Sequence, residues 1–265
     1  MGRPSRGPLL CLLPGPARAC PMSGTNEVVL PSLDWETRLW REGYRHVAGV
    51  DEAGRGAWAG PVVAAAVILP PDDGQLARHL EGVCDSKLLS PARREALLDV
   101  ISRHVLALGV GAVAPAIIDA VGIVAATRQA MALALRVLWP PPECLLIDYL
   151  RLPEVALPQE CMPRGDALVL SIAAASIVAK VSRDRIMAGL DGVFPGYGFA
   201  RHKGYGTEEH QAALACLGPS AAHRLSFAPL RQPGTAHEGP RPAGGHSTRS
   251  PGDLALGGSL PAREG

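Results

Sequence analysis

Four acidic residues and one glycine-studded turn are the parts of this 265-residue chain equipped to do chemistry. The stretch Val47 to Pro61 reads VAGVDEAGRGAWAGP, and the apolar run Val62 to Leu69 follows it directly. The pattern predicts a strand over 46–51 that ends on the adjacent carboxylates Asp51 and Glu52. It then breaks at Gly54-Arg55-Gly56, and a second strand follows over 60–69. Burying a strand end that carries unpaired negative charge is costly unless a cation neutralises it. Gly54, Gly56 and Gly60 let backbone amides approach a ligand that a Cβ would exclude. Together these features describe a metal site beside a backbone cradle for a sugar or phosphate.

Two more carboxylates stand at predicted element ends. Asp148 closes the apolar run Cys144 to Ile147, and Asp166 follows Gly165 just before a predicted helix over 167–189. Hard divalent cations take oxygen ligands, and Mg²⁺ usually keeps waters as well. Four such groups can hold two ions roughly 3.5–4 Å apart, the spacing used for in-line phosphoryl transfer. Each acid alone has a simpler explanation as a cap or turn residue, and Asp166 is placed well for a helix N-cap. Neighbours on a regular strand also face opposite sides, so Asp51 and Glu52 share a site only if the glycine turn bends the backbone there.

Basic and aromatic residues accompany the acids. Arg55 suits either a phosphate or a surface ion pair. Lys180 and Arg183 lie on the helix after Asp166, and Lys180 falls roughly 20 Å along its axis, which suits a phosphate further along a nucleic-acid backbone. Tyr197, Arg201, His202, Lys203 and Tyr205 share one Gly/Tyr-rich loop over 195–206. Flat rings beside positive charge suit stacking on a sugar or base next to phosphates, although such a loop can also simply pack. His223-Arg224 either extends this patch or caps locally.

The elements that must position these groups are predicted as follows. A helix spans 32–43 with Ser32 as N-cap. The two strands form an antiparallel hairpin because their connection is short. Ser90-Pro91 reads as an N-cap with proline at the first helical position, and Leu97, Leu98, Ile101 and Val105 share one face. A strand over 105–113, one long helix over 115–138, strands over 144–148 and 155–162, the helix over 167–189 and a Thr207-capped helix over 208–217 complete the set.

A net charge of +1 excludes a chain-wide basic field, so nucleic-acid binding must come from local patches. The six cysteines show no CxxC spacing and no zinc-type Cys–His cluster, and they read as small apolar residues in a reducing compartment. The apolar stretch Leu106 to Ala126 is divided by Gly109, Gly111, Pro115 and Asp119 into a strand and a helix, so no membrane span is expected. Residues 1–31 are expected to be disordered or, up to Met22, an annotation artefact. The Gly/Pro/Ser-rich residues 232–265 are expected to be a disordered tail around a catalytic domain over 32–231.

The ordered set of segments resembles the ribonuclease HII family, the type 2 ribonucleases H. The matching segments are Gly49 to Gly56 with Ala59 to Ala66, Asp85-Ser86-Lys87, Ile147-Asp148 and Gly165-Asp166. They continue with Ala173 to Lys180, Arg183-Asp184, His202 to Thr207 and His223-Arg224. The resemblance implies an α/β RNase H-like fold, with a mixed central β-sheet flanked by helices and a helical C-terminal part. It implies an endonuclease that hydrolyses the RNA strand of RNA–DNA hybrids and cuts 5′ of ribonucleotides embedded in duplex DNA. The products carry 3′-hydroxyl and 5′-phosphate ends, and the setting is ribonucleotide excision repair and DNA replication in the cytoplasm.

By the same match, Asp51, Glu52, Asp148 and Asp166 bind two Mg²⁺ or Mn²⁺ ions. Gly54, Arg55 and Gly56 read the ribose 2′-hydroxyl, and Tyr205 stacks on the deoxyribose after the ribonucleotide. Lys180, Arg183 and Lys203 complete the expected substrate contacts, and the chain is expected to act as a monomer. Trp58 and Tyr149 depart from the family's smaller residues beside the site. Two rival functions remain: a catalytically silent hybrid-binding protein, and a junction nuclease of the same fold.

Overall fold

A computed structural model describes residues 30–231. The expected tail over 232–265, and all but the last two residues of the expected extension over 1–31, lie outside the described residues. The elements run α1 (Asp34–Arg41), β1 (Val47–Ala53), β2 (Val62–Ile68), α2 (Leu76–His79), α3 (Pro91–His104), β3 (Ala107–Val113), α4 (Pro115–Val121) and α5 (Ile123–Arg136). They continue with β4 (Cys144–Asp148), β5 (Gln159–Met162), α6 (Gly165–Leu168), α7 (Leu170–Val193), α8 (Phe199–His202) and α9 (Glu208–Leu217).

The five strands form one sheet in the order β3-β2-β1-β4-β5. β1 pairs antiparallel with β2, as the short connection predicts, and β2 antiparallel with β3. β4 runs parallel to β1, and β5 parallel to β4. Every residue of β2 is buried, because helices cover both faces of the sheet. Val62, Ala64, Ala66 and Ile68 pack with Ala126, Ala130, Met131 and Ala134 of α5. Ala65 and Val67 pack with Ala173, Ala174, Ile177 and Val178 of α7 and with Leu97 and Ile101 of α3. Small residues let the layers come close. A Cβ at Gly49 would sit 2.3 Å from the Ser171 carbonyl carbon and 2.5 Å from the Ile172 nitrogen, so β1 touches the backbone of α7.

Several boundaries differ from the sequence reading. The single helix expected over 115–138 is two, because Gly122 adopts a φ of 80° between α4 and α5. The helix expected over 167–189 is preceded by α6 and starts only at Leu170. Between α6 and α7, Val169 is extended and forms a bridge with Ser32. Tertiary pairing therefore overrides helix propensity at that residue. α7 has no side-chain cap of its own. Instead, the buried Glu36 of α1 accepts a hydrogen bond from the Ser171 N–H at 2.8 Å. Ser32 is not the N-cap of α1, a position held by Leu33, although its Oγ accepts from Asp34 N–H at 3.3 Å. β3 starts at Ala107 and β5 at Gln159, both later than expected, and the Gly/Tyr-rich loop contains the short helix α8. No helix among the described residues is long and apolar enough to cross a membrane.

Adding one methyl group should separate the tight contact from the open ones. Gly49→Ala should lower stability by about 1–3 kcal/mol through overpacking. Gly189→Ala, on α7 with no neighbour within 4 Å of a new Cβ, should raise it by about 0.5–1 kcal/mol. Chemical-denaturation midpoints measure both, and equal effects would contradict the close approach of β1 and α7.

Candidate active site

The carboxylates gather where the parallel strands β1 and β4 end. The chain adds β2 and β3 on one side of β1 and β4 and β5 on the other, so the sheet's order reverses there. Open α/β sheets hold ligands outside the carboxyl ends of strands at such a point. Val50 pairs with Ile147, which sets Asp51 beside Asp148 in register. Alternation along the strands turns both toward the α7 side of the sheet.

Glu52 does not follow the sequence reading. The backbone does not bend at the acids: pairing with β2 continues through Glu52 and Ala53, and the glycine turn begins after them. Glu52 lies one residue beyond the end of β4, and it enters the same electrostatic cluster from the strand's edge. Its Oε1 accepts from Arg55 Nη1 at 3.2 Å, while Oε2 is buried without a hydrogen-bond partner.

Asp148 is fixed by Gly165 N–H, which donates to its Oδ1 at 2.8 Å. Asp166 is not a helix N-cap. Arg164, left-handed at φ 61°, holds that position, and Asp166 sits inside the first turn of α6, 4% exposed. The Lys87 ammonium lies 3.2 Å from Asp166 Oδ2 and 3.8 Å from Asp85 Oδ1. Lys87 is a site residue that the sequence reading left inside a matching segment without a role. Its own turn is held by Arg94, whose Nη1 donates to the carbonyls of Ser86 and Leu89 at 2.9 and 2.8 Å.

The cluster is short of positive charge. Burial pushes the Asp51 carboxyl well above the ordinary range, and the charges of Glu52 and Asp148 push it further, against hydrogen bonds from Ser176 and the Glu52 amide. Burial also raises Glu52, with Arg55 opposing it. Burial raises Asp148 against the Gly165 hydrogen bond, and Asp166 adds to the rise. At Lys87, burial works downward, but Asp166 and Asp85 outweigh it and hold the ammonium above its usual value. A set of hard oxygen donors with a buried, unpaired Oε2 and one exposed lysine fits divalent cations of the Mg²⁺ or Mn²⁺ type. No three of these carboxylates bring ligand atoms all within 4.8 Å of one another. Among the described residues that spacing belongs to Asp73, His79 and His104.

The glycine turn sits on two fully buried arginines. Arg183 donates to the carbonyls of Pro61 and Ala59, each at 3.0 Å. Arg224 donates to the carbonyls of Gly60 at 3.0 Å and Arg55 at 2.8 Å. One nitrogen of each, Arg183 Nη1 and Arg224 Nη2, is buried without a partner. Burial lowers the Arg224 pKa to about 10, and the charge of Arg183 contributes. Gly54, at φ 88°, is required here, because a Cβ would meet Arg183 Nε at 1.9 Å, whereas a Cβ at Gly56 would meet nothing within 4 Å. Arg183, expected as a substrate contact, thus lies beneath the turn, 0% exposed. Arg224, read from sequence as part of a basic patch or a local cap, is the second anchor.

Tyr205 stands beside this turn. Its ring, 37% exposed, lies 5.3 Å from the Arg183 guanidinium carbon and 5.8 Å from Lys180 Nζ. Lys180 pairs with Asp184 at 2.7 Å, and Lys203 Nζ donates to the Asp184 carbonyl at 3.3 Å. Trp58 occupies the room left by Gly206, where a Cβ would come within 2.2 Å of the indole, so the Tyr205 loop is packed on the turn. The Tyr205 carbonyl lies 3.0 Å from His210 Nδ1, and His210 reaches His223 at 3.1 Å. Tyr149, the other departure, is left-handed at φ 62° and 65% exposed, pointing its ring to solvent beside Asp148.

The raised carboxylates set a pH dependence. Their folded pKa values lie above the unfolded ones, so they favour the folded state below the ordinary carboxylate range. That contribution is lost as pH rises through the raised values. Metal-free protein should therefore lose stability on going from weakly acid to neutral pH. Asp51→Asn should lessen the loss, with the neutral-pH Tm roughly 2–4 °C higher, the shift that about 1 kcal/mol makes in a domain of this size. Thermal melts with chelator at both pH values measure it, and a lower Tm for the variant would contradict the reading.

Comparison with known proteins identifies the family and the fold. The family model described as ribonuclease HII matches residues 48–230. The ribonuclease HII of Chloroflexus aurantiacus is 54% identical over 202 residues, covering 76% of this chain and 95% of that protein. Among solved structures, the ribonuclease H2 of Pyrococcus horikoshii superposes with a TM-score of 0.59 at 26% identity, covering 70% of this chain and 95% of that one. The RNase HII of Archaeoglobus fulgidus, solved in complex with PCNA, gives a TM-score of 0.57 at 30% identity, covering 71% of this chain and 97% of that one. The mixed sheet and its flanking helices are the RNase H-like fold of these neighbours, and the chain belongs to the ribonuclease HII family.

Proposed function

We propose that this ribonuclease H endonuclease hydrolyses the RNA strand of RNA–DNA hybrids and cuts on the 5′ side of single ribonucleotides in duplex DNA, leaving 3′-hydroxyl and 5′-phosphate ends. The observation that carries the reading is the under-neutralised cluster of Asp51, Glu52, Asp148 and Asp166 beside an anchored glycine turn. When bound, a pair of Mg²⁺ or Mn²⁺ ions supplies the activation of water and the stabilisation of the leaving oxygen. The spread of the four carboxylates suits ligands shared between two ions better than the shell of one.

The chain's own residues do the rest. Asp148 keeps its orientation because the Gly165 amide holds one of its oxygens. Arg55 steadies Glu52 and leaves the other carboxylate oxygen available. The backbone at Gly54, Arg55 and Gly56 is the proposed reader of the 2′-hydroxyl. The open space over Gly56 supports a ribose approaching there, and the buried arginines keep the turn rigid. Tyr205 offers its ring to the next sugar, while Lys180 and Lys203 face the phosphates around it. All four acids come from one chain, which supports a monomer as the working unit, and the work fits ribonucleotide removal from cytoplasmic DNA.

Cleavage of duplex DNA carrying one ribonucleotide, with and without Mg²⁺, tests the function. The expected result is a metal-dependent cut 5′ of the ribonucleotide and no cut in the all-DNA duplex. Binding without cleavage would indicate a silent hybrid-binding protein, and cleavage of an all-DNA junction would indicate a junction nuclease. Asp51→Asn should lower turnover by at least about 10²-fold, the scale of losing one preorganised charge-stabilising group. Tyr205→Ala should cost roughly 1–3 kcal/mol, the value of one stacked ring, at single ribonucleotides and less in long hybrids. Equal losses on both substrates would contradict junction sensing by Tyr205.

A further inference from the structure

A second constellation lies at the opposite end of the sheet from the acids. Antiparallel pairing sets Asp51 across from Ala65, but Ala48 across from Ile68, so β2 leaves the sheet at the end where β1 enters it. Asp73 follows β2 in the loop over 70–74, His79 is the last residue of α2, and His104 is the last residue of α3. β3 begins immediately afterwards, with Ala107 paired to Ile68. Three separate segments therefore converge there, and one ligand atom from each of Asp73, His79 and His104 lies within 4.8 Å of the other two. Asp73 Oδ2 lies 3.0 Å from His79 Nδ1, while Gln75 N–H holds Oδ1 at 2.9 Å. The His79 and His104 rings stack with centroids 4.4 Å apart. All three side chains are partly exposed, so an ion and its remaining waters can reach them.

We propose that Asp73, His79 and His104 form a second metal site, for a divalent ion of the zinc class. Two imidazoles and one carboxylate are borderline donors that suit zinc and its neighbours, whereas Mg²⁺ prefers oxygen alone. Zinc bonds of 2.0–2.1 Å at tetrahedral angles set two donor atoms roughly 3.3 Å apart. The 3.0 Å between Asp73 Oδ2 and His79 Nδ1 is close to that separation already. The ion takes the place of the proton between those two atoms and draws in His104, tying the loop and α2 to the end of α3. Its role is structural, since the carboxylates of the candidate active site lie at the far end of β2. The proposal does not depend on the nuclease reading.

Zinc titration of the full chain in excess Mg²⁺ tests it, comparing the wild type with His79→Gln/His104→Gln, with Asp73→Asn and with Asp148→Asn. The expected result is that the wild type and Asp148→Asn bind one more zinc equivalent than the double variant. Asp73→Asn should bind that equivalent at least tenfold more weakly. The Tm rise that zinc gives the wild type should disappear in the double variant, and Co²⁺ in the site should show no thiolate charge-transfer band. Metal-dependent cleavage should be unchanged in all but Asp148→Asn. Equal zinc stoichiometry in the wild type and the folded double variant would overturn the proposal. Unweakened binding by Asp73→Asn would overturn it independently, should the double variant fail to fold.

Discussion

Negative charge held at the carboxyl ends of two adjacent parallel strands is the constraint on which this structure depends. Asp51 and Asp148 sit side by side because β1 and β4 share a register, and Ser176 of α7 hydrogen-bonds Asp51. Burial opposes the ionisation of both, with Glu52 and Asp148 adding repulsion at Asp51 and Asp166 adding it at Asp148. A folded protein keeps such a cluster only if something else repays the cost, and a bound cation stabilises the folded state in proportion to its affinity and concentration. Lys87 is a partial answer: its ammonium meets Asp166, yet the side chain is 78% exposed and can move away.

The neighbouring turn is built on the opposite principle. Arg183 and Arg224 place two positive charges under Gly54 to Pro61, where carbonyl oxygens accept their hydrogen bonds. Glycine at 54 lets the chain pass over Arg183 at a distance that no other residue permits. Negative ends of strands and a positively supported turn thus lie side by side. That pairing suits a phosphodiester, whose oxygens need metal ions on one side and hydrogen-bond donors on the other.

Much of this was legible in the sequence. Apolar runs that stop on Asp51 and Asp148 marked both strands and their polar ends, and the continuous apolar run Val62 to Leu69 after a short connection marked the second strand of the hairpin. The division of the stretch Leu106 to Ala126 into strand and helix was readable from Gly109, Gly111 and Pro115. What was not legible depended on contacts between distant segments. Val169 leaves the helix because Ser32 pairs with it, Glu36 caps a helix that begins at residue 170, and Glu52 joins the cluster because β4 ends one residue short of it. Arg183 reads in the sequence as a substrate contact beside Lys180, and only the fold turns it under the glycine turn. Lys87 and Arg224 sat in recognisable segments, but their roles come from what they face. The Asp73, His79 and His104 group has no sequence spacing that marks it.

The most direct test of the central claim is an anomalous-difference map from crystals of the protein soaked in Mn²⁺. Density is expected among Asp51, Glu52, Asp148 and Asp166, with Glu52 Oε2 turned toward it and the Lys87 ammonium displaced from Asp166. Manganese bound elsewhere, with the Lys87–Asp166 contact intact and no ion among the four acids, would contradict it.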